Sequence, residues 1–512
     1  MKVWHFSEMA YHPAWPALRD SYRVIIPSRL YDPKIGADLY HRYLDEWVLC
    51  DELGINIMTN EHHATATCAD SVCTIPMAIL ARETKKVRLL ALGMPIGNRN
   101  DPIRVAEEYS MLDVISRGRI EMGFVKGVPF EISPANTNPA DLMGRFWEAH
   151  DLILKAMTSH DGPFNWEGTH FHYRQINVWP RPWQQPHPPV WMPVGSPGSA
   201  MEAAERGMTI GVLNTGWVRT PPIFDAYRRK AGEVGRPMSP QRLAYMALIG
   251  VGNTREEGER RADQILGYSR TSGIVAPQFM NPPGYASPAQ SAQAIKASGA
   301  GFRAGRIQSR DGRNLDPRTM TVADAIDAGL VFAGTPDDVF GQLRAFYDHV
   351  GGFGHLLMMG QGGLLDHDET VANLTLFSRE VLPRVGILRR CNGPQNSAKP
   401  LPHRHLEIAE IGDRLSRRKT ADRRRTAYVE STRLCSLWLL GSAVAGRLRR
   451  GRECRNFRRS HRSDANGRTC VLLQTGSARL RDRSGVAGRG CRIVAWRRHS
   501  GARSCAVGCS GF

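Results

Sequence analysis

The feature that most constrains the fold is a regular alternation of short apolar runs with amphipathic helices. Eight apolar runs predict strands, at residues 2–6, 55–58, 87–92, 119–125, 190–194, 209–213, 243–251 and 353–359. Apolar residues recur at helical spacing between most of these runs. Such alternation requires a parallel sheet, because a crossing helix must return the chain to the same edge. The fold class predicted for residues 1–386 is therefore α/β, a (β/α)8 TIM barrel with insertions.

Two stretches interrupt the alternation. Residues 163–179 alternate polar and apolar side chains and predict a hairpin. Residues 270–330 are rich in Pro, Gly, Ser and Ala and predict an insertion that serves as a lid. A doubly wound open sheet is the alternative architecture. The glycine fingerprint that a dinucleotide-binding sheet carries after its first strand is missing, which favours the barrel.

The net charge of +19 resides in the C-terminal quarter of the chain. Residues 387–512 contain 29 Lys and Arg against 8 Asp and Glu, whereas residues 1–386 carry a net charge of −2. Arg and Cys are abundant in this tail, and no apolar periodicity persists. We interpret it as disordered or as the product of out-of-frame translation. A basic nucleic-acid-binding arm is the alternative, disfavoured because stacking aromatic platforms and a recognisable fold are lacking.

The cysteines and the N-terminal residues indicate the cellular compartment in which the protein is expected. The body contains the scattered cysteines Cys50, Cys68 and Cys73, which form no disulfide framework and fit a reducing cytoplasm. Polar residues interrupt the N-terminus at once, so no signal peptide is expected. The longest apolar run, 434–446, is too short to span a membrane. We expect a cytoplasmic protein without a membrane segment.

A carboxylate and two imidazoles, Glu61-His62-His63, follow the predicted strand 55–58. Active sites of parallel α/β folds lie at the carboxyl ends of strands. One imidazole, oriented by the neighbouring carboxylate, could transfer protons near neutral pH. A polar loop without catalytic function is a second interpretation. A metal site, as in metal-dependent barrel hydrolases, is a third. It is disfavoured because it needs three or more ligands and adjacent histidines point apart on an extended chain.

The segment Gly195-Ser196-Pro197-Gly198-Ser199 lies between the predicted strand 190–194 and a helix N-terminus. Free backbone N–H groups and the helix dipole there favour an anion, and small residues let a phosphate approach. Helix capping by Ser196 or Ser199 is the simpler interpretation, and Ser199 to Glu202 has the pattern of a capping box. Lys126, at the end of the neighbouring strand, is either a solvated loop charge or a second ligand of the same phosphate.

The order of these segments resembles the bacterial luciferase-like, flavin-dependent monooxygenase family over roughly residues 1–386. The resembling segments are Glu61 to His63, Asn100 to Glu108 with Leu112-Asp113 and Ser116 to Arg119, Gly123 to Gly127, Pro188 to Trp191, Gly334 to Val339, and Glu380 to Arg384. The resemblance implies a (β/α)8 barrel that binds reduced FMN at the carboxyl ends of its strands. It assigns the reactive histidine to His62, places Glu61 beside the flavin, and assigns phosphate binding to Lys126, Ser196 and Ser199.

This chain departs from the luciferases themselves at two positions. Gly195 stands where they carry an acidic residue, and Val125 stands where their alpha chain has a reactive cysteine. These two departures argue against light emission and leave flavin-dependent oxygenation open.

The activity that the resemblance implies is a monooxygenase reaction using reduced FMN and O2 on a small organic substrate. No NAD(P)H-binding module is recognisable, so a separate NAD(P)H:flavin reductase is the expected partner, and a homo-oligomer is expected. Water must be excluded from such a site, and residues 128–140 and 270–330 are the candidate lids. A deazaflavin-dependent oxidoreductase on the same barrel is the alternative.

Overall fold

A computed structural model describes residues 1–289, 291–292, 307–388, 459–463 and 469–473. The chain divides into two units, Met1–Pro400 and Leu401–Phe512. The strands of the first unit are β1 (Lys2–Phe6), β2 (Asn56–Thr59), β3 (Leu89–Met94), β4 (Ile120–Phe124), β5 (Phe164–Glu167), β6 (His172–Ile176), β7 (Val190–Val194), β8 (Thr209–Leu213), β9 (Leu243–Val251), β10 (Val331–Gly334) and β11 (His355–Met359).

Eight of these strands form a closed parallel barrel. Its order is β1, β2, β3, β4, β7, β8, β9 and β11, and β11 pairs back onto β1. These are the eight strands predicted from the apolar runs, and closure between β8 and β9 excludes the open sheet. The excursion predicted at 163–179 is the antiparallel hairpin of β5 and β6.

Helices cover the outside of the barrel, and most begin at a capping residue. They are α1 (Pro33–Leu53), α2 (Thr74–Glu83), α3 (Pro102–Ser116), α4 (Ile132–Ala135), α5 (Leu142–Thr158), α6 (Pro197–Glu205), α7 (Gly216–Glu233), α8 (Arg255–Ser272), α9 (Val322–Asp327), α10 (Pro336–His349), α11 (His367–Leu376) and α12 (Leu382–Ile387). Asp101 illustrates the local cause: its carboxylate accepts from the Arg104 amide, and proline occupies the first helical position.

The strand side chains alternate between two apolar layers, as the pleat requires. One layer fills the barrel interior and includes Trp4, Met58, Leu90, Trp191 and Leu357. The other lies between barrel and helices. Truncating a fully buried Trp such as Trp191 would cost about 3–5 kcal/mol. Because the interior is packed, a site for a ligand must lie at an end of the barrel, among the loops.

A ninth parallel strand, β10, was not predicted. It pairs with the carboxyl-terminal half of β9, from Leu248 to Val251, whereas β8 pairs with the preceding half, from Leu243 to Met246, and β11 pairs along the opposite edge. Because β9 has nine residues, one of its edges is long enough to pair with β8 and then with β10. The signal was weak because β10 has only four residues and directly follows the irregular region 270–330.

The ends of that region are more regular than the sequence suggested. Helix α8 continues to Ser272, and α9 carries a capping box formed by Thr321 and Asp324. Residues 290 and 293–306 lie outside the described residues, so a lid over this stretch stays a prediction.

In the second unit the structure describes one antiparallel pair, β12 (Arg459–Ser463) with β13 (Thr469–Leu473). The prediction of a disordered or out-of-frame tail falls otherwise on residues outside the described ranges. Among the helices that the structure describes, none combines the length and apolar character that crossing a bilayer requires.

Candidate active site at the carboxyl end of the barrel

His62 lies in the loop after β2 and contacts a carboxylate from the loop after β4. Its Nδ1 is 2.7 Å from Oε1 of Glu131, the last residue of the short 3-10 helix Pro129–Glu131. The same oxygen accepts from the backbone amide of His63 at 3.1 Å. Glu131 is buried, whereas the His62 side chain is 20% exposed. The pair therefore couples two neighbouring barrel loops and leaves the imidazole accessible.

The electrostatic balance keeps Glu131 ionised. Burial alone would raise the pKa of this carboxyl, but His62 and Arg23 together with the His63 amide outweigh it, and the pKa is lowered. A carboxylate accepts and cannot donate, so the Nδ1 proton of His62 is the one that is shared. The opposite nitrogen, Nε2, is then the atom with which a neutral His62 accepts a proton.

A second carboxylate lies on the Nε2 side of His62. Glu8, two residues beyond β1, places its Oε2 at 4.0 Å from Nε2. The same oxygen accepts a 2.6 Å hydrogen bond from Nδ2 of Asn60, which directly follows β2. Glu8 and Asn60 are both buried. Three strands thus contribute polar side chains at their carboxyl ends to one cluster.

The Glu61 carboxylate does not orient His62, which was the role expected from its position next to this imidazole. Its buried carboxylate receives Nη2 of Arg99 at 2.9 Å and the amide of Cys73 at 3.1 Å. Nε2 of His63 lies 3.3 Å from it. The carboxylate that orients His62 is Glu131 and not the adjacent Glu61, because consecutive side chains of an extended loop diverge. A contact between Glu61 and flavin stays a prediction.

The opposite charges of Glu61 and His63 shift the pKa values of the two groups in opposite directions. Burial alone would raise the pKa of the Glu61 carboxyl, but His63, Arg99 and Cys73 lower it overall. The pKa of the His63 imidazole is raised, first by its hydrogen bond to Glu61 and against the effect of burial. The pair therefore stabilises the loop after β2 most strongly when both groups are charged.

The predicted phosphate cradle lies at the N-terminus of α6, directly after β7. Ser196 is the N-cap, and its Oγ accepts from the Ser199 amide at 3.3 Å. The predicted capping box starting at Ser199 is therefore wrong, because Ser199 is already the third helical residue. The two hydroxyl oxygens are 3.0 Å apart.

Space in the cradle follows from its glycines. A Cβ built on Gly195 would meet nothing within 4 Å, and one on Gly198 would reach only the Ser196 hydroxyl. Small hydroxyl donors, a helix N-terminus and open space around two glycines fit a phosphate group.

Lys126, two residues beyond β4, approaches this end of the barrel from the neighbouring strand. Its Nζ lies 3.8 Å from the ring centroid of Tyr285. Burial lowers the pKa of the Lys126 ammonium, and Glu202 on α6 opposes that effect. Across the described residues, no hydrogen bond joins Lys126 to Ser196 or Ser199. The structure therefore brings the predicted serines together and holds Lys126 on an aromatic ring instead.

Sequence reasoning missed several polar residues of the cluster. Glu8, Asn60 and Glu131 were not selected, although Glu8 and Asn60 stand within two residues of a predicted strand end. That position is the signal that could have found them. Glu131 lies in a long loop, so no spacing rule indicated it.

No group of three or more His, Cys, Asp or Glu side chains is arranged to hold a metal ion within the ranges that the structure describes. The body cysteines Cys50, Cys68 and Cys73 are free and buried.

The sequence is similar to a family of monooxygenases and to individual bacterial proteins. Residues 28–352 match the family described as "Luciferase-like monooxygenase". The uncharacterized protein y4wF of Sinorhizobium fredii is 30% identical over 46% of this chain and 71% of its own length. The oxygenase component of a flavin-dependent trigonelline monooxygenase from Acinetobacter baylyi is 27% identical over 36% of this chain. The chain spans 51% of that protein's length.

Solved structures share the barrel at low sequence identity. The oxygenating constituent of 3,6-diketocamphane monooxygenase from Pseudomonas putida, in complex with FMN, superposes with a TM-score of 0.56 at 18% identity. The superposition covers 75% of this chain and 98% of that one. An F420-dependent secondary alcohol dehydrogenase gives 0.51 at 14% identity over the same 75% of this chain and 98% of its own.

These structures support the fold, and the family match covers more than half of the sequence. The chain belongs to the luciferase-like monooxygenase family.

Proposed function

We propose that the protein is a monooxygenase that uses reduced FMN and O2 to oxygenate a small organic substrate. The observation that carries this proposal is the position of two features at the same end of one barrel. The His62–Glu131 pair follows β2 and β4, and the cradle of Ser196 and Ser199 follows β7. An acid–base group and an anion site are the two protein functions that a phosphorylated redox cofactor requires.

The donor set of the cradle suits the phosphate of FMN. Ser196, Ser199 and the backbone around Gly195 would hold the phosphate, with Lys126 supplying positive charge. Binding an anion there would draw the Lys126 ammonium away from the Tyr285 ring, because a charge-assisted hydrogen bond to a phosphate is stronger than a cation–π contact. Reduced FMN, when bound, supplies the electrons with which O2 is activated.

The chain's own contribution to the chemistry is proton transfer and exclusion of water. Glu131 accepts the Nδ1–H hydrogen bond, so His62 exchanges a proton with the reacting groups at Nε2.

The loops around the His62–Glu131 pair are connected by contacts of Arg23. Arg23 stacks on Phe130 at 4.5 Å and donates from Nε to the Ser272 carbonyl at 3.0 Å. These contacts tie the β1 loop to the β4 loop and to the end of α8.

The expected partner is a separate NAD(P)H:flavin reductase. The similar trigonelline monooxygenase is described as an oxygenase component, which supports a two-component arrangement. The reductase would deliver reduced FMN by diffusion, and the cradle would capture it through its phosphate.

A homo-oligomer is supported by an exposed apolar face on two neighbouring helices. Ile75 and Ile79 on α2 are 61% and 42% exposed, and Met111 and Ile115 on α3 are 50% and 46% exposed. Within each helix these residues lie one turn apart and share a side. Large exposed apolar side chains on two helices that pack together are typical of a protein contact. We propose that a second copy of the chain covers it.

The second candidate function keeps the barrel and the acid–base pair but uses a reduced deazaflavin for hydride transfer without oxygen. The structural similarity to an F420-dependent alcohol dehydrogenase favours retaining it.

An oxygen-uptake screen tests the leading proposal. The full-length protein, supplied with reduced FMN and a panel of small organic substrates, should consume O2 and form one oxygenated product in stoichiometric amounts. If O2 uptake yields only hydrogen peroxide with every member of a broad panel, and the reduced deazaflavin reduces a substrate without O2, the second candidate is favoured.

A further inference from the structure

Glu8 is a buried carboxylate whose ion-pair partner is an imidazole. Its side chain is 8% exposed, and within the described ranges its ion pair is with His62 alone. Three other buried glutamates, Glu46, Glu61 and Glu121, each lie against an arginine. A carboxylate removed from water needs donors or a compensating charge. At Glu8 the compensating charge is present only when the imidazole of His62 bears a second proton.

The backbone and a neighbouring amide fix the direction of this carboxylate. Asn60 donates a hydrogen bond of 2.6 Å to Oε2 of Glu8. This bond holds the oxygen that lies nearest to Nε2 of His62. The chain turns immediately after Glu8, at Met9, where φ is 48° and the backbone amide donates to Oγ of Ser7. Non-glycine residues rarely adopt this left-handed conformation, and such strain is concentrated at functional sites.

We infer that Glu8 is a positioning residue for His62 and stabilises a proton on Nε2. Glu131 keeps the proton on Nδ1, so a proton taken up at Nε2 produces an imidazolium between two carboxylates. That proton comes from a reacting group and returns to one, and no electrons move. The present 4.0 Å separation exceeds a hydrogen bond. Catalytic hydrogen bonds are often long in ligand-free structures and shorten in the reactive complex.

Two other carboxyl groups of the β2 loop, those of Asp70 and Glu61, have their negative charge reduced or compensated. Burial, with Glu61 and Glu8, raises the pKa of Asp70 well above its usual range and favours its neutral form. Arg99 and His63 compensate Glu61. The charged or titratable groups around His62 are Glu8 after β1, Arg23 in the β1 loop, Glu61, His63 and Asp70 in the β2 loop, and Glu131 after β4.

A titration of the flavin-free, full-length protein tests the inference. Histidine labelled with 15N in the ring, observed by long-range 1H–15N NMR, reports both tautomer and charge, and His62→Gln identifies the signal. An anion within about 4–6 Å favours the charged form of a group by about one pH unit or more. Glu8→Gln should therefore move the His62 transition to lower pH by about one unit and keep the proton of the neutral ring on Nδ1.

Two further variants sharpen the result. Glu8→Asp keeps the charge but withdraws it by one methylene, so it should give a smaller shift in the same direction. Glu233→Gln, on the exposed end of α7, is the matched control and should give none. The amide oxygen introduced by Glu8→Gln can still accept from Asn60, which preserves the fold. If that variant does not fold, Glu8→Asp decides. A His62 transition that is unchanged in the variants that fold overturns the inference.

The inference rests on the proposed function in assigning proton transfer to His62, but its readout requires no flavin. If the His62 transition moves to lower pH in Glu8→Gln but reduced FMN does not bind, the positioning role is upheld and the proposed cofactor is refuted. Binding of reduced FMN with no shift would refute the role of Glu8 alone.

Discussion

Nδ1 of His62 and Oε1 of Glu131 are 2.7 Å apart, although 69 residues separate them in the chain. The contact forms because β2 and β4 run parallel on either side of β3 and both end at the same rim of the barrel. Glu131 is buried and ionised, so it fixes the tautomer of the more exposed imidazole. This relationship determines which nitrogen of His62 is available to a reacting group.

Replacing Glu131 should impair chemistry far more than cofactor binding. In Glu131→Gln the side chain can present an N–H to Nδ1, which reverses the tautomer. General acid–base groups contribute about 10²–10⁴-fold, and we expect a loss of about 10²-fold or more in product formation per bound reduced FMN. Rapid-mixing measurement of product yield checks this. Glu107→Gln on α3 is the control, and an equal loss in both variants would contradict the assignment.

Removing Lys126 should weaken binding of FMN but not of riboflavin, which lacks the phosphate. A hydrogen bond to a charged group is worth about 1.5–3 kcal/mol, so Lys126→Ala should lower FMN affinity roughly 10- to 100-fold. Ser196→Ala should act in the same direction. Fluorescence titration with both flavins measures the effect. A parallel loss of riboflavin affinity would show that Lys126 supports the loop rather than the phosphate.

The Glu61–His63 pair should contribute stability only within a window of pH. The lowered pKa of Glu61 adds stability that is present above its ordinary value of 4.5 and is lost as the pH falls through the folded-state value. The raised pKa of His63 adds stability that is present below 6.5 and is lost as the pH rises through the folded-state value.

His63→Gln tests this window by urea unfolding. Its destabilisation relative to wild type should be larger at pH 6 than at pH 8.5, because the imidazolium contribution is absent at the higher pH. His160→Gln, at an exposed position after α5, is the control substitution. Equal destabilisation by His63→Gln at both pH values would contradict the ion-pair account.

The apolar face of α2 and α3 should control the oligomeric state. Ile75→Glu places a charge on a side chain that is 61% exposed, so it should leave the fold intact and disrupt association. Light scattering after size-exclusion chromatography should show a dimer for wild type and a monomer for the variant. Val234→Glu, at the end of α7, should remain dimeric. A monomeric wild type would refute the proposed use of this face.

Residues beyond 388 should be dispensable for the barrel. Val385 in α12 and Val381 directly before it are buried, and Leu388 is the last residue whose burial is described. A chain ending at Leu388 should keep its far-UV spectrum and its affinity for reduced FMN. Failure of this shortened chain to fold would contradict the interpretation of the C-terminal tail as disordered or out-of-frame.

The barrel was predictable because its strands are buried on both faces. Such strands appear as continuous apolar runs, as in Val190–Val194 and Leu243–Val251, whose bounds agree with the prediction. Of the two capping residues that the sequence offers, Ser196 is the N-cap, and the capping box from Ser199 to Glu202 does not form because Pro197 takes the first helical position.

The partners within the site could not be predicted in the same way. Sequence adjacency suggested that Glu61 orients His62, but neighbouring side chains diverge and the closed barrel supplies Glu131 and Glu8 instead. Which loop residues meet depends on how far each loop folds back over the barrel, and apolar periodicity carries no such information. Position after a strand end was informative for His62 and would have been for Glu8.

An anaerobic titration of the full-length protein with reduced FMN and with reduced F420 tests the central claim most directly. The proposed function predicts that reduced FMN binds more tightly, that Lys126→Ala weakens this binding, and that admission of O2 then oxidises the bound flavin. Tighter binding of reduced F420, or no binding of reduced FMN at all, would contradict it.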